Sequence, residues 1–481
     1  MLEASPPPGS DGGPAVRSTY AVWEITLRCN LRCIHCGSRA GDARTGELDT
    51  AEALDLVRQL AEVGVREVSL IGGEAFLRRD WLDIAAEVSR RGMRCTMTTG
   101  GYGLGPKMAR RIKGAGIERV SVSVDGLEAT HDHLRGRQGS YRRCLVAIRS
   151  LLEAGVSASA NTQINRLSAP ELPRVYEVLR DAGIGPWQTQ MTVPMGNAAD
   201  HHDLLLQPYE LLDVFPLLAH IHERGFGEGV RMQPGNNIGY FGPYERRLRA
   251  RPGTGGKDVV FWSGCTGGVL TLGIEADGTI KPDPSLPTVA YRGGNIRNQS
   301  LHDIIFGADA LVMNDDRSLA QGDLWGFCSG CEFAEVCRGG DTWTSHVFFD
   351  RRGNNPYCHY RSLYHAAGGM RERVVQRIGA EGLPFDNGVF GIERESVGTP
   401  LAADDPLAFG LDKVQWPESW LAADPELPAR LRAERDRSIE VWRRRLPKAP
   451  FSNPALMEET SPTPRHVPVR PPADPRAACS S

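Results

Sequence analysis

From Tyr20 to Arg224 the chain switches repeatedly between two kinds of segment, and this alternation limits the folds open to it more than any other feature. Apolar or β-branched runs occur at Tyr20–Leu27, Glu67–Ile71, Arg94–Thr98, Arg119–Val124, Ser157–Gln163 and Trp187–Met191. Between and after them lie helix-patterned stretches at Thr50–Val63, Asp80–Arg91, Pro106–Gly114, Tyr141–Ala154, Ala169–Ala182 and Pro208–Arg224. Asp49 and Thr50 suit a helix start, and Gly64, Gly92, Gly155 and Gly183 stand where helices should stop. Strand-then-helix units in succession imply parallel strands joined by right-handed crossovers. A closed barrel takes eight such units. The expectation is therefore an α/β chain built on an open, partial (β/α)6 TIM-type barrel over residues 19–224, with its chemistry at the C-terminal ends of the strands.

With 481 residues the chain exceeds one ordinary core. Residues 1–18 are rich in Pro, Gly and Ser and read as a disordered leader, and 225–262, rich in Gly, Pro and Arg, as a bridge. A small cysteine-rich domain is expected at 263–365, followed over 366–481 by a largely irregular C-terminal extension. Within that extension a charged helix near Pro428–Arg445 precedes a disordered tail from Pro447 onward. YRSLYHAAGGMRERVVQRI, just after Cys358, reads as a helix closing the cysteine-rich domain. A net charge of −3, from 56 basic and 59 acidic residues, argues against nucleic acid or an anionic membrane as partner. No run has the apolar length to span a bilayer. The opening MLEASPPPGS lacks a secretory signal, so a reducing, cytoplasmic compartment is expected.

The first strand runs into WEITLRCNLRCIHCGSR, where Cys29, Cys33 and Cys36 stand at C-x3-C-x2-C spacing. Three thiolates so close can hold three irons of a cubane [4Fe–4S] cluster and leave the fourth open to another ligand. A zinc site that recruits His35 is the weaker alternative, since structural zinc ligands usually come as two separated pairs. A disulfide is weaker still. Cys328, Cys331 and Cys337 follow at C-x2-C-x5-C, with Cys358 completing a closed set of four that would suit a cluster or a zinc about equally. Cys95, Cys144, Cys265 and Cys479 stand alone.

The first cysteine loop resembles the signature of the radical S-adenosylmethionine (SAM) superfamily, with His35 where an aromatic residue is usual. Strand two runs into Gly72, Gly73 and Glu74, which resemble the superfamily's Gly-Gly-Glu-Pro motif with Ala75 in place of the proline. The resemblance implies that the backbone there and the Glu74 carboxylate grip the SAM amino group. It implies also that Ser123 and Asp125, in SVSVDG, line the SAM side of the barrel. LEATHDHLRGRQGSY and WQTQMTVPMGNAAD resemble the branch that carries a C-terminal SPASM domain, and Arg135 is a candidate carboxylate partner for SAM or substrate. His131 and His133 are expected to be structural, and Met191 and Met195 to be core or pocket wall.

A SPASM domain ordinarily binds two auxiliary clusters. Cys328, Cys331, Cys337 and Cys358 match the ligands of the outer one. The inner set does not survive: the position five after Gly278 is Asp283, the position four after Cys337 is Asp341, and only Cys265 keeps its thiol. Carboxylate replaces thiolate poorly on iron–sulfur clusters, so one auxiliary [4Fe–4S] cluster is expected beside the SAM-binding one. Asp283 or Asp341 becomes a weak candidate for a catalytic carboxylate facing the substrate cavity, the competing reading being solvated loop acids. The resemblance implies reductive cleavage of SAM and hydrogen abstraction from a substrate, with a ribosomally made precursor peptide as the first expectation. Oxidation of a small molecule is the alternative, and a non-catalytic electron carrier the reading from another class. A flavodoxin- or ferredoxin-type reductant is implied, and leader recognition either falls to a separate protein or to the C-terminal extension or is not required.

Overall fold

The computed structural model describes residues 18–250, 259–315, 323–398 and 405–445. Six strand-and-crossover units form as expected: β1 (Tyr20–Glu24), α1 (Thr50–Glu62), β2 (Glu67–Ile71), α2 (Trp81–Arg90), β3 (Arg94–Thr99), α3 (Pro106–Gly114), β4 (Ile117–Ser123), α4 (Glu128–Leu134), α5 (Ser140–Glu153), β5 (Ser157–Ile164), α6 (Leu172–Asp181), β6 (Pro186–Met191), then the short α7 (Asn197–Asp200) and the long α8 (Leu211–Glu228). Consecutive strands pair in parallel from β1 to β6. Asp49 caps α1 through a reciprocal capping box with Glu52.

The strands have two chemically different faces. Trp23, Leu70, Met97, Val122, Ala160 and Trp187 are fully or nearly fully buried against the helices. Each such aromatic or branched side chain contributes about 1.5–3 kcal/mol by leaving water. The alternate residues point to the concave side. There the ladder aligns Ser69 with Thr96, Ser121 with Ser159, Ser123 with Asn161, Asn161 with Gln188 and Gln163 with Gln190. Many of these line a cavity of about 100 Å³ inside the sheet's curve. A closed barrel of this class fills its centre with branched apolar side chains; this one keeps a polar interior.

The sheet is wider than six strands. The segment expected to be a bridge supplies β7 (Arg231–Pro234), parallel to β6. The hairpin of the cysteine-rich segment, β8 (Thr271–Ile274) and β9 (Thr279–Lys281), joins the opposite edge with β8 parallel to β1, and β10 (Gly294–Asn295) adds to β9. Ten strands thus run in the order β10-β9-β8-β1-β2-β3-β4-β5-β6-β7. Ser18, assigned from sequence to the leader, is buried and donates its N–H to Val269 O at 2.8 Å.

Two further expectations are corrected. The stretch after Cys358 is a helix only over His359–Ala367; Gly368 and Gly369 stop it, and β11 (Met370–Ile378) pairs antiparallel with β12 (Val389–Ser396). The extension is therefore far from irregular: besides this hairpin it holds helices at Glu418–Ala423 and Leu427–Arg445, the latter where the charged helix was expected. One stretch, His202–Glu228, is apolar and long enough to cross a membrane by composition, yet 78% of its window is buried in the protein; α8 is a core helix. The remainder of the expected leader and the expected tail from Pro447 lie outside the described residues.

Candidate active site

The cysteine loop leaves β1 and is held from three sides. From β2, Gly73 N–H donates to Thr26 O and Glu74 N–H to Arg28 O, both at 2.8 Å. The approach is close enough that a Cβ on Gly73 would stand 2.4 Å from the Arg28 carbonyl oxygen, so only glycine fits. From the end of α4, Leu134 O and Arg135 O accept from Ile34 N–H (3.0 Å) and Arg32 N–H (3.1 Å). From α7, Asn197 donates its N–H to Cys36 O at 3.0 Å and its side-chain amide to Cys33 O at 2.8 Å.

Cys29, Cys33 and Cys36 are free and partly buried. Burial pushes the Cys29 thiol up to about 11 and that of Cys33 to about 12, so in the metal-free protein these sulfurs stay protonated at neutral pH. Each sulfur nevertheless faces a donor: Leu31 N–H reaches Cys29 Sγ (3.4 Å), Ala40 N–H reaches Cys36 Sγ (3.5 Å) and Arg135 Nη1 reaches Cys33 Sγ (3.7 Å). Donors aimed at sulfur suit metal-bound thiolates and help set a cluster's potential. Among the described residues no three His, Cys, Asp or Glu side chains gather around one point as ligands of a single ion.

Beside the loop sits a buried charged group. Asp125, after β4, is fully buried and pairs with Arg135 Nη2 at 2.5 Å and His35 Nε2 at 3.2 Å, while its Oδ1 accepts from Gln163 N–H at 2.9 Å. Burial opposes its ionisation, but Arg135 and His35 outweigh it and hold the carboxyl far below the usual range. His131 is buried and accepts the Asp125 N–H at 3.1 Å, a structural contact, and His133 is exposed. Glu74 is 1% exposed and accepts from Thr99 Oγ1 (2.5 Å) and Gly100 N–H (2.6 Å); burial raises its pKa to about 7. Gly72, Gly73, Glu74, Asp125 and Arg135 thus flank the cysteine loop, and Ser123 ends β4 two residues before Asp125. Arg135, the candidate carboxylate partner, is engaged by Asp125 and Cys33, and its Nε is buried without a hydrogen-bond partner.

In the second half, Cys328, Cys331, Cys337 and Cys358 lie close enough to raise one another's thiol pKa, on top of the larger effect of burial. Cys331 and Cys358 pack with Phe327, Phe333, Tyr360 and Leu363, and Trp442 from the C-terminal helix covers them. Asp341 is buried and Asp283 half-buried, so the reading of solvated loop acids does not hold. Asp341 caps the helix Thr342–Phe349 by accepting from Thr344 N–H at 3.1 Å, and Asp283 accepts from Ser285 N–H at 2.9 Å. Burial and the neighbouring Asp283 push Asp341 up to about 7, and Cys265 beside them is raised to about 11, chiefly by burial. Cys95, Cys144, Met191 and Met195 are core residues, and Cys479 lies outside the described residues.

Sequence reasoning missed Asn197, Arg39 and two residues of the C-terminal hairpin, Phe385 and Asp386, all of which touch the cysteine loop or its flank. Asn197 lies inside the quoted WQTQMTVPMGNAAD and Arg39 closes the quoted WEITLRCNLRCIHCGSR, which were the signals available; Phe385 and Asp386 had none.

Residues 23–165 match the family described as the radical SAM superfamily. Over 350 residues the chain is 29% identical to an AdoMet-dependent heme synthase of Methanosarcina barkeri, spanning 71% of this chain and 96% of that protein. It is 24% identical to the mycofactocin maturase MftC of Mycobacterium ulcerans, over 66% of this chain and 81% of that one. Among solved structures, anSMEcpe with bound AdoMet superposes with a TM-score of 0.56 at 16% identity, covering 71% of this chain and 94% of that chain, a likeness of fold.

Proposed function

This chain is a radical SAM enzyme that uses a [4Fe–4S] cluster and SAM, and on that premise we propose that it modifies a ribosomally made precursor peptide in the cytoplasm. The observation that carries the peptide reading is the concave sheet face. Ser121, Ser159, Asn161 and Gln188 line its cavity beside the charged Glu67 and Arg119, and Ser123, Gln163 and Gln190 continue the same polar rows along the strands, which suits a chain of amides better than an apolar macrocycle.

When bound, the cluster and SAM supply a 5′-deoxyadenosyl radical, which takes a hydrogen atom from an unactivated substrate carbon. The protein's part is placement. Cys29, Cys33 and Cys36 would each hold one iron. Glu74 would accept from the SAM ammonium, and Gly72 and Gly73 let the backbone of β2 approach. Asp125 fixes Arg135 beside Cys33, keeping a positive charge at a sulfur that must be thiolate when metal is bound. Cys328, Cys331, Cys337 and Cys358 would hold one auxiliary cluster, to which a flavodoxin- or ferredoxin-type reductant could pass electrons.

A second reading, chemistry on an iron tetrapyrrole, is favoured by the heme synthase match that spans 96% of its relative. The deciding experiment supplies the anaerobically reduced holoprotein and SAM with a short peptide encoded beside the gene or, separately, with an iron porphyrin bearing carboxylate side chains. 5′-Deoxyadenosine with a mass change in the peptide supports the proposal. Turnover of the porphyrin alone replaces it with the second reading.

A further inference from the structure

The loop between β11 and β12, residues 379–388, lies against the cysteine loop. Phe385 N–H donates to Gly37 O at 3.2 Å, Gly196 N–H donates to Asp386 O at 2.8 Å, and Asn387 bridges to Met195. Arg39, three residues after Cys36, donates Nε to Asp386 Oδ1 at 2.8 Å, Nη1 to Asn197 Oδ1 at 3.1 Å and Nη2 to Asp200 Oδ1 at 3.0 Å. The Arg39 and Asp386 side chains are 12% and 10% exposed. Asp386 Oδ2 accepts from Gly382 N–H (2.6 Å) and Leu383 N–H (2.9 Å), so the carboxylate also shapes its own loop. Behind it, the Phe385 ring is buried with the Lys281 ammonium 4.0 Å from its centroid.

Arg39 and Phe385 both adopt left-handed backbone, with φ of 49° and 58°. Non-glycine residues hold that conformation only where their surroundings over-determine it, and such sites cluster where geometry matters to function. Here the two strained residues flank one interface. The guanidinium is a rigid fork that reads several oxygens at fixed angles, and it sits at the exit of the Cys33–Cys36 turn. Asn197, which fixes the carbonyls of Cys33 and Cys36, is itself held by the same guanidinium.

We propose that Asp386 is a positioning residue for the radical chemistry: through Arg39 and Asn197 it sets the geometry of the Cys33–Cys36 turn and closes that side of the loop to water. The C-terminal hairpin is then part of the catalytic apparatus, although it neither binds metal nor touches substrate. This inference rests on the radical SAM assignment and is independent of the substrate.

The test uses the full chain as wild type, Asp386→Ala, Asp386→Glu and Arg39→Lys, with Glu393→Gln on the exposed face of β12 as control. Amide exchange of residues 33–40 in the metal-free protein should rise about tenfold in Asp386→Ala and Arg39→Lys. In the reconstituted protein the KM for SAM in uncoupled cleavage should rise about tenfold in both, with a smaller change in kcat. Asp386→Glu should recover part of each effect, and Glu393→Gln should match wild type. Folded Asp386→Ala and Arg39→Lys proteins with wild-type exchange and wild-type KM would overturn the proposal. If Asp386→Ala does not fold, Arg39→Lys decides it alone by the same two readings.

Discussion

Replacing Asp125 by Asn removes one negative charge from a pocket that holds Arg135 and His35 and leaves its shape almost unchanged. The Asp125 side chain is 1% exposed and that of Arg135 12% exposed, with 2.5 Å between them. At an effective dielectric of about 20, charges roughly 4 Å apart attract by about 4 kcal/mol. Breaking a buried pair by removing one partner costs about 3–5 kcal/mol. Asn keeps an oxygen that can accept from Gln163 N–H and from Arg135, so the expected loss lies at the lower end, about 3 kcal/mol, or roughly 3–4 °C in Tm for a chain of this length that melts as one unit. Because Asp125 ionises far below the usual range, its stabilisation is complete above about pH 4 and fades as pH falls further. The gap between wild type and Asp125→Asn should therefore be full at neutral pH and narrow in acid. With metal bound, the negative charge at Cys33 gives Arg135 a second partner, 3.7 Å away in the metal-free geometry. Melting curves of the metal-free and reconstituted proteins should thus show a smaller penalty in the latter. Equal penalties in both forms, or none in the metal-free protein, would refute the account of Arg135 as shared between a carboxylate and a sulfur.

Gly73→Ala should displace the cysteine loop, because its Cβ would fall 2.4 Å from Arg28 O and endanger the two backbone bonds that join β2 to the loop; we expect a loss of about 2–3 kcal/mol and incomplete iron loading by colorimetric assay. Glu74, raised to about 7 by burial, binds more protons folded than unfolded between about pH 4.5 and 7, so metal-free stability should fall across that window as pH rises. Denaturant titrations of Glu74→Gln should show that slope reduced, and the KM for SAM in wild type should fall as pH rises from about 6 to about 8 while the variant loses the trend. Cys265→Ser should leave the iron content unchanged, whereas Cys337→Ser should remove about four irons per chain.

The barrel was legible because each unit carries its own local signal: a β-rich run, a capped amphipathic helix and a glycine stop. The cysteine spacings were legible for the same reason, since three residues within eight positions need no knowledge of the fold. Elements defined by distant partners were harder to see. Arg231–Pro234 is short, charged and ends in proline, and becomes a strand only because β6 offers an unpaired edge. RVVQRI follows a helix and carries charges at helical spacing, but pairing with Val389–Ser396 makes it a strand. Arg39 and Asp386 are 347 residues apart, and nothing around Asp386 in the sequence points to the cysteine loop. Asp283 and Asp341 were located by counting from family positions, but the burial of Asp341 as a helix cap required coordinates.

The strand Thr271–Ile274 completes the backbone ladder of Tyr20–Trp23, so the two halves of the molecule share one continuous mat of hydrogen bonds. A fragment trimmed to the barrel would expose the raw selvedge of its first strand, the kind of surface that recruits other chains into aggregates. The halves should consequently melt together, and trimming is expected to produce insoluble material in place of a smaller working enzyme.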